Sequence, residues 1–243
     1  MTRILKRGIY FINVFITVLS TITACTNPAV IEERGEGSSL ESEIEFNEII
    51  EIRYDSTKLS KTSKMLDENL YWKIISRSIK ASTSLDDQEK WLISELSKLS
   101  TEKIIGFKLR THQLLIDSYN SDLWCAGYIM NGGCSDDCFE YFRCWIISRG
   151  RDIYYNSKAN PDYLINEANT GDLISEIKIY EFEGLLNVAV IAFNQKTGKE
   201  IYDYLDYAGL NAYDADDQLK LNWNEGSQES MKKICPKLYE KFQ

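Results

Sequence analysis

The chain is short of histidine, short of positive charge and empty of the usual catalytic motifs. His112 is the single histidine among 243 residues. There is no G-x-S-x-G, no P-loop, no G-x-G-x-x-G and no H-E-x-x-H. No cofactor is expected from such a sequence. Lys and Arg number 28 against 37 Asp and Glu, a formal charge of −9. A chain so acidic excludes nucleic acid as a natural partner and disfavours peripheral adhesion to anionic lipid. Beyond the first twenty-five residues no apolar run approaches the ~20 residues that span a bilayer. No internal repeat and no low-complexity tract is present.

What is present begins at the N-terminus. Arg3, Lys6 and Arg7 precede the apolar, uncharged run Ile9 to Leu19, and small and polar residues follow up to Ala24. That is the three-part pattern of a secretory signal. Ile22-Thr23-Ala24-Cys25 resembles the lipobox of bacterial lipoproteins. The expectation is removal of residues 1–24 and acylation of Cys25, with several acyl chains giving stable anchoring where one is marginal. The membrane is then a partner through that lipid. Thr26 stands where an aspartate would signal inner-membrane retention, so in a host with two membranes the outer one is favoured, facing the periplasm.

Residues 26–43 are polar, with Gly35, Gly37, Ser38 and Ser39 clustered, and suit a flexible tether. Over 44–54, Ile44, Phe46, Ile50, Ile52 and Tyr54 alternate like a strand. A lone strand must dock or stay disordered. Residues 55–64 are again linker-like, which puts the start of the domain at 65 and its end at 243.

From there the period is helical. Asp67 caps a face of Leu70, Tyr71, Ile74, Ile75 and Ile79. Asp86 or Asp87 opens a helix with Trp91, Leu92, Leu96 and Leu99. Ser100 caps another with Ile104, Ile105, Phe107, Leu114 and Leu115. Ser121 or Asp122 starts a short helix that Asn131-Gly132-Gly133 ends. Ser135 starts the next, with Asp136 and Asp137 in its first turn and an end near Gly150. Asn160-Pro161 marks a turn. Ile177 to Phe193 reads as one long helix ending at Gly198, Leu205 to Asn222 is ambiguous, and Pro236 begins a final helix. The fold class expected is all-α, a single compact helical domain.

The middle of the chain is distinctive: Asp122-Leu123-Trp124, then the run from Asn131-Gly132-Gly133-Cys134-Ser135-Asp136-Asp137 through Phe142-Arg143 and Trp145 to Gly150-Arg151, then Asn160-Pro161-Asp162. It resembles the bacterial family catalogued as domain of unknown function 4240. Tyr71-Trp72, Thr197-Gly198 and Pro236 to Phe242 add to the resemblance, which extends from about Leu66 to the C-terminus. Cys125, Cys138, Cys144 and Lys103 depart from the family pattern. The resemblance implies a small, mostly helical domain and directs attention to the central motif. It implies no reaction.

On a helix Asp136, Glu140 and Arg143 share a face, with Asp137 alongside. One reading is a polar pocket in which Arg143 fixes an anionic group and a carboxylate acts as base or ligand. The other is that the aspartates serve the helix N-terminus while Glu140 and Arg143 pair. Asp122, Trp124, Cys134, Ser135, Tyr141 and Arg149 complete the candidate cluster. The cysteines leave three readings. C-x3-C spacing without a nearby histidine is a poor zinc signature, so no metal is expected. A disulfide Cys134–Cys138 or Cys138–Cys144 suits an oxidising envelope. Buried free thiols acting as small apolar fillers are the plainest alternative. A nucleophilic Cys134 would need His112 folded beside it. The function expected is a non-enzymatic, lipid-anchored binding module with a protein partner, in an immunity-like or envelope-maintenance role. The competing expectation is an enzyme built on the acidic cluster.

Overall fold

The computed structural model describes residues 59–174, 177–207 and 219–243. The signal segment, Cys25, the tether and the strand expected over 44–54 lie outside the described residues, as does much of the ambiguous stretch after Leu205.

Helices carry the structure, as the all-α expectation requires. They are α1 (Glu68–Ala81), α2 (Leu85–Ser97), α3 (Thr101–Asp117), α4 (Ser121–Asn131), α5 (Asp136–Ser148), α6 (Arg151–Ala159), α7 (Val188–Thr197), α8 (Gln228–Ile234) and α9 (Pro236–Phe242). Short 3₁₀ turns cover Pro161–Glu167, Glu183–Leu186 and Ile201–Tyr204. A two-stranded antiparallel hairpin, β1 (Asp172–Ile174) and β2 (Ile177–Ile179), is the single sheet among the described residues.

The caps explain where most helices begin. Asp67 Oδ1 accepts from Leu70 N at 2.9 Å, as expected. Two starts shift by a residue or more. Ser84, not Asp86 or Asp87, caps α2 by accepting from Asp87 N, and Asn120, not Ser121 or Asp122, caps α4 through Leu123 N. In each case the side chain just outside the first turn wins, because it reaches the unpaired N–H groups while the acids inside the turn act only through charge. Gly132, at φ 69°, ends α4 in the left-handed region that a residue with a Cβ rarely adopts.

The long helix expected from Ile177 to Phe193 does not form. Its first part is β2, and its backbone then bonds to distant groups. Tyr180 N donates to Asn131 Oδ1 at 2.9 Å and Phe182 N donates to the Tyr141 carbonyl at 3.0 Å. Tertiary partners take the N–H groups that helix formation needs. The later half, from Val188, is helical and Gly198 closes it at φ 65°. Helices α6 and α8 are additions to the sequence reading.

Helix α5 is central. Phe139 and every residue from Phe142 to Ser148 are buried, which marks a helix packed on all sides. Each large apolar side chain there contributes about 2–3 kcal/mol through burial. Helix α4 approaches α5 closely: a Cβ on Gly127 would lie 3.0 Å from the Phe142 ring. Helices α2 and α3 pack against α7, and α9 against α4 and the 3₁₀ turn at Pro161. The entering segment is tied down at Thr62, whose N–H donates to the Tyr204 carbonyl at 3.1 Å and whose carbonyl accepts from Asp206 N at 3.0 Å. Among the described residues no helix is long and apolar enough to cross a membrane.

Candidate functional site

The junction of α4 and α5 gathers most of the motif. Cys134 and Cys138 form a disulfide with Cα atoms 5.2 Å apart. Cys134 therefore offers no thiolate to His112, and the nucleophile reading falls. For these two residues the apolar-filler reading falls as well. It fits Cys125, Cys144 and Cys235, all free and buried. Burial pushes the Cys144 thiol well above its ordinary value. A hydrogen bond to Cys125, with burial, does the same to Cys235.

Behind the disulfide the motif builds a continuous stack. Trp124 Nε1 donates to the Cys134 carbonyl at 2.9 Å. Its ring stacks on Phe139, centroids 4.8 Å apart and 12° from parallel. The Arg143 guanidinium lies 4.7 Å from the Phe139 centroid and 4.9 Å from that of Tyr119. Arg143 Nη1 then reaches the Leu115 carbonyl at 2.5 Å and Nε the Phe139 carbonyl at 3.2 Å. Leu115 is in the last turn of α3, whose terminal carbonyls lack helical partners and carry partial negative charge. Ser118 and Tyr154 hydroxyls donate to the neighbouring Leu114 carbonyl. A buried cation and two hydroxyls thus close the C-terminus of α3.

The expected Asp136–Glu140–Arg143 face does not converge on one pocket. Ser135 Oγ caps α5 through Cys138 N, and Asp136 and Asp137 stand exposed in its first turn. Arg143 turns inward. Glu140 turns toward a separate cleft of about 230 Å³, lined also by Lys108, His112, Tyr202 and Tyr207. There Lys108 Nζ donates to the Leu186 carbonyl at 2.7 Å, and burial lowers its pKa. Burial, with the Lys108 charge, also lowers that of His112. Asp122 accepts from Asn222 Nδ2 at 2.7 Å and fixes the C-terminal segment to α4. Arg149 lies at the far end of α5, with Nε 3.1 Å from Glu167 Oε2.

What does converge is negative charge around Tyr141. Burial, the nearby Glu183, Asp137 and Glu140 carboxylates, and a hydrogen bond to Glu183 raise the Tyr141 phenol. Burial and Glu183 raise Glu181, and burial, Asp86 and Glu183 raise Glu89. These carboxylates come from α2, α5 and the segment before α7, so the face is a product of folding. Among the described residues no group of three or more His, Cys, Asp or Glu is arranged to hold a metal ion.

A family described as Protein of unknown function (DUF4240) matches residues 66–195. The chain belongs to that family. No curated protein and no solved structure matches the chain. The DUF4240 match begins at Leu66, where the resemblance was expected to begin, and stops short of the closing segment at Pro236.

Within the DUF4240 region the Asn160-Pro161-Asp162 turn does more than its sequence announced. Asn160 Oδ1 accepts from Asp162 N. The buried Asp162 carboxylate accepts from Lys237 N at 3.2 Å and Leu238 N at 2.9 Å, so it caps α9 from 75 residues away. A carboxylate just inside a helical turn, preceded by proline, reads locally as a first-turn acid. Nothing in the sequence points to the distant helix it serves. The acidic face was missed for the same reason, since Glu89 and Glu183 are far apart in the chain.

Proposed function

We propose that this DUF4240 protein is a lipid-anchored envelope protein whose domain binds a basic protein partner without catalysing a reaction. The observation that carries the reading is the acidic face around Tyr141. Carboxylates from three separate elements are held near one another there, and for Glu89 and Glu181 partial burial makes the charge costly. A cationic surface laid on such a face relieves the repulsion, and electrostatic attraction speeds the encounter. The disposition of the central motif supports the same view. Trp124, Phe139 and Arg143 brace the α4–α5 junction, and the exposed aspartates share no cavity with Arg143. Anchoring through Cys25 rests on the signal pattern and the lipobox. It would set the domain at a membrane surface, facing the periplasm from the outer membrane in a host with two membranes. An immunity-like or envelope-maintenance role suits a tethered binder.

Two measurements test the proposal. Cells fed labelled palmitate should label the wild-type chain and not Cys25→Ser, and the variant should leave the membrane fraction. Crosslinking in intact envelopes should then capture one basic protein in stoichiometric amount. The complex should weaken as salt rises, and Asp137→Asn with Glu183→Gln should abolish it without lowering the melting temperature. Capture that ignores both salt and those substitutions would remove the acidic face from the explanation.

A further inference from the structure

At the opposite end of α5 from the disulfide, about 20 Å along the helix axis, lies a cavity of about 330 Å³. It is bounded by the α1–α2 turn, the end of α5 and the segment Asn169 to Gly171. Its walls are mostly polar, and the Ser82 hydroxyl on them has no hydrogen-bond partner among the described residues.

Gln88 is 2% exposed. Its amide nitrogen donates to Ser78 Oγ at 2.9 Å and to the Ser148 carbonyl at 3.0 Å. Both N–H groups are thereby occupied, which fixes the amide and leaves Oε1 with no donor from the described residues. Arg149 also lines the cavity, its side chain 21% exposed. Its Nε is held by Glu167, and neither terminal nitrogen donates to a described residue. The Ser82 hydroxyl is shut from bulk water and has no partner among the described residues. Nearly every buried polar group in a folded protein is hydrogen-bonded, and leaving one bare costs about 1–3 kcal/mol. Ser82 is such a group, and the amide of Gln88 and the partly exposed fork of Arg149 stand on the same walls, so the cavity offers matched polar groups to an occupant.

The chemistry of the walls selects its class. Gln88 Oε1 requires a donor, and the Arg149 fork requires acceptors. Hydroxyls on adjacent carbons supply both at once. An anion would satisfy only the arginine, and Glu167 already offsets that charge. Asp86 and Asp87, exposed in the first turn of α2, repel anions further. The volume is at the lower end of the roughly 300–1,000 Å³ typical of small-molecule sites, enough for one pyranose ring.

We propose that this cavity binds a neutral polyhydroxylated ligand, a single sugar unit, between Gln88 Oε1 and the terminal nitrogens of Arg149. The site is separate from the acidic face and does not depend on the binding role assigned to it.

The test is an NMR titration of the full chain in a zwitterionic, sugar-free detergent, with glucose, N-acetylglucosamine and inorganic phosphate as separate probes. The expected result is saturable shifts of the Gln88 side-chain amide with one of the sugars, at a dissociation constant of about 1 mM, and none with phosphate. Arg149→Met should weaken binding at least about tenfold. If that variant does not fold, Arg149→Lys keeps the charge beside Glu167 and removes the fork, and the same loss is expected. Saturable shifts with phosphate alone would make the site an anion site and overturn the proposal. Failure of both sugars to shift Gln88 would mean that water fills the cavity, and would overturn it equally.

Discussion

The two ends of α5 differ in how they manage polarity. At its N-terminus the helix emerges into solvent. Ser135, Asp136 and Asp137 are exposed, and a four-residue disulfide step pins the turn. At its C-terminus Ser148 is fully buried, Gln88 holds its carbonyl, and Arg149 is braced by Glu167. Charge at the first end is solvated, so the fold depends on it little and a partner can use it. Polar groups at the second end are desolvated, so each must be matched, by protein or by ligand. One helix thus carries a surface suited to macromolecular contact and a recess suited to a small molecule.

The largest effect should come from between these ends. Arg143→Met keeps most of the stem but strips the cation from the end of α3 and leaves the Leu115 carbonyl poorly matched. A loss of about 3 kcal/mol in urea unfolding is expected, and a loss below about 0.5 kcal/mol would show that the stack of Trp124, Phe139 and Tyr119 stands without it. Removing the disulfide with Cys134→Ser and Cys138→Ser should cost about 2 kcal/mol, the entropy of so short a closed loop. Adding reductant to the wild type should shift its melting temperature comparably. Gln88→Met should cost about 1–2 kcal/mol by orphaning the Ser148 carbonyl and removing the donor to Ser78 Oγ, whose own bond to the Ile75 carbonyl remains. By contrast Asp136→Asn should change stability by under about 1 kcal/mol through the helix dipole. If Gln88→Met proves as mild as Asp136→Asn, the contrast between the ends collapses.

The same contrast separates what the sequence discloses from what it hides. Helical period, the Gly132 and Gly198 stops and the Asp67 and Ser135 caps are local matters, decided within a few residues, and they were legible. The segment from Ile177 to Leu186 was not. Its apolar spacing suits a helix, yet the N–H groups of Tyr180 and Phe182 bond to Asn131 and Tyr141, 49 residues away in the first case. Arg143 was legible as important and illegible in role. Its sequence neighbour Glu140 suggested an ion pair, while the guanidinium reaches the Leu115 carbonyl of α3 and lies between the Tyr119 ring of the turn after it and Phe139 of its own helix. Sequence spacing shows which residues could meet along one helix. It does not show which of them a second helix will claim.

The smallest expected effect concerns the acidic face and is a matter of pH. Burial and neighbouring carboxylates raise Glu89 and Glu181 above their ordinary 4.5. The folded chain therefore holds those protons more tightly than the unfolded one. Their contribution is fully present below pH 4.5 and is lost as pH rises through the elevated folded values. Glu68, lowered chiefly by its hydrogen bond from Tyr155, and Asp87, lowered chiefly by Thr83, act in the opposite sense. They stabilise above their ordinary values and cease to do so as pH falls. Glu183→Gln keeps an acceptor for Tyr141 and removes the charge common to Glu89 and Glu181. The variant should match wild type at pH 4 and exceed it at pH 7 by a few tenths of a kcal/mol, about 0.3, in paired thermal melts. Equal stabilities at both pH values would mean that solvent already screens the face. In that case a basic partner would gain nothing from relieving repulsion, and its affinity would have to come from contacts other than charge.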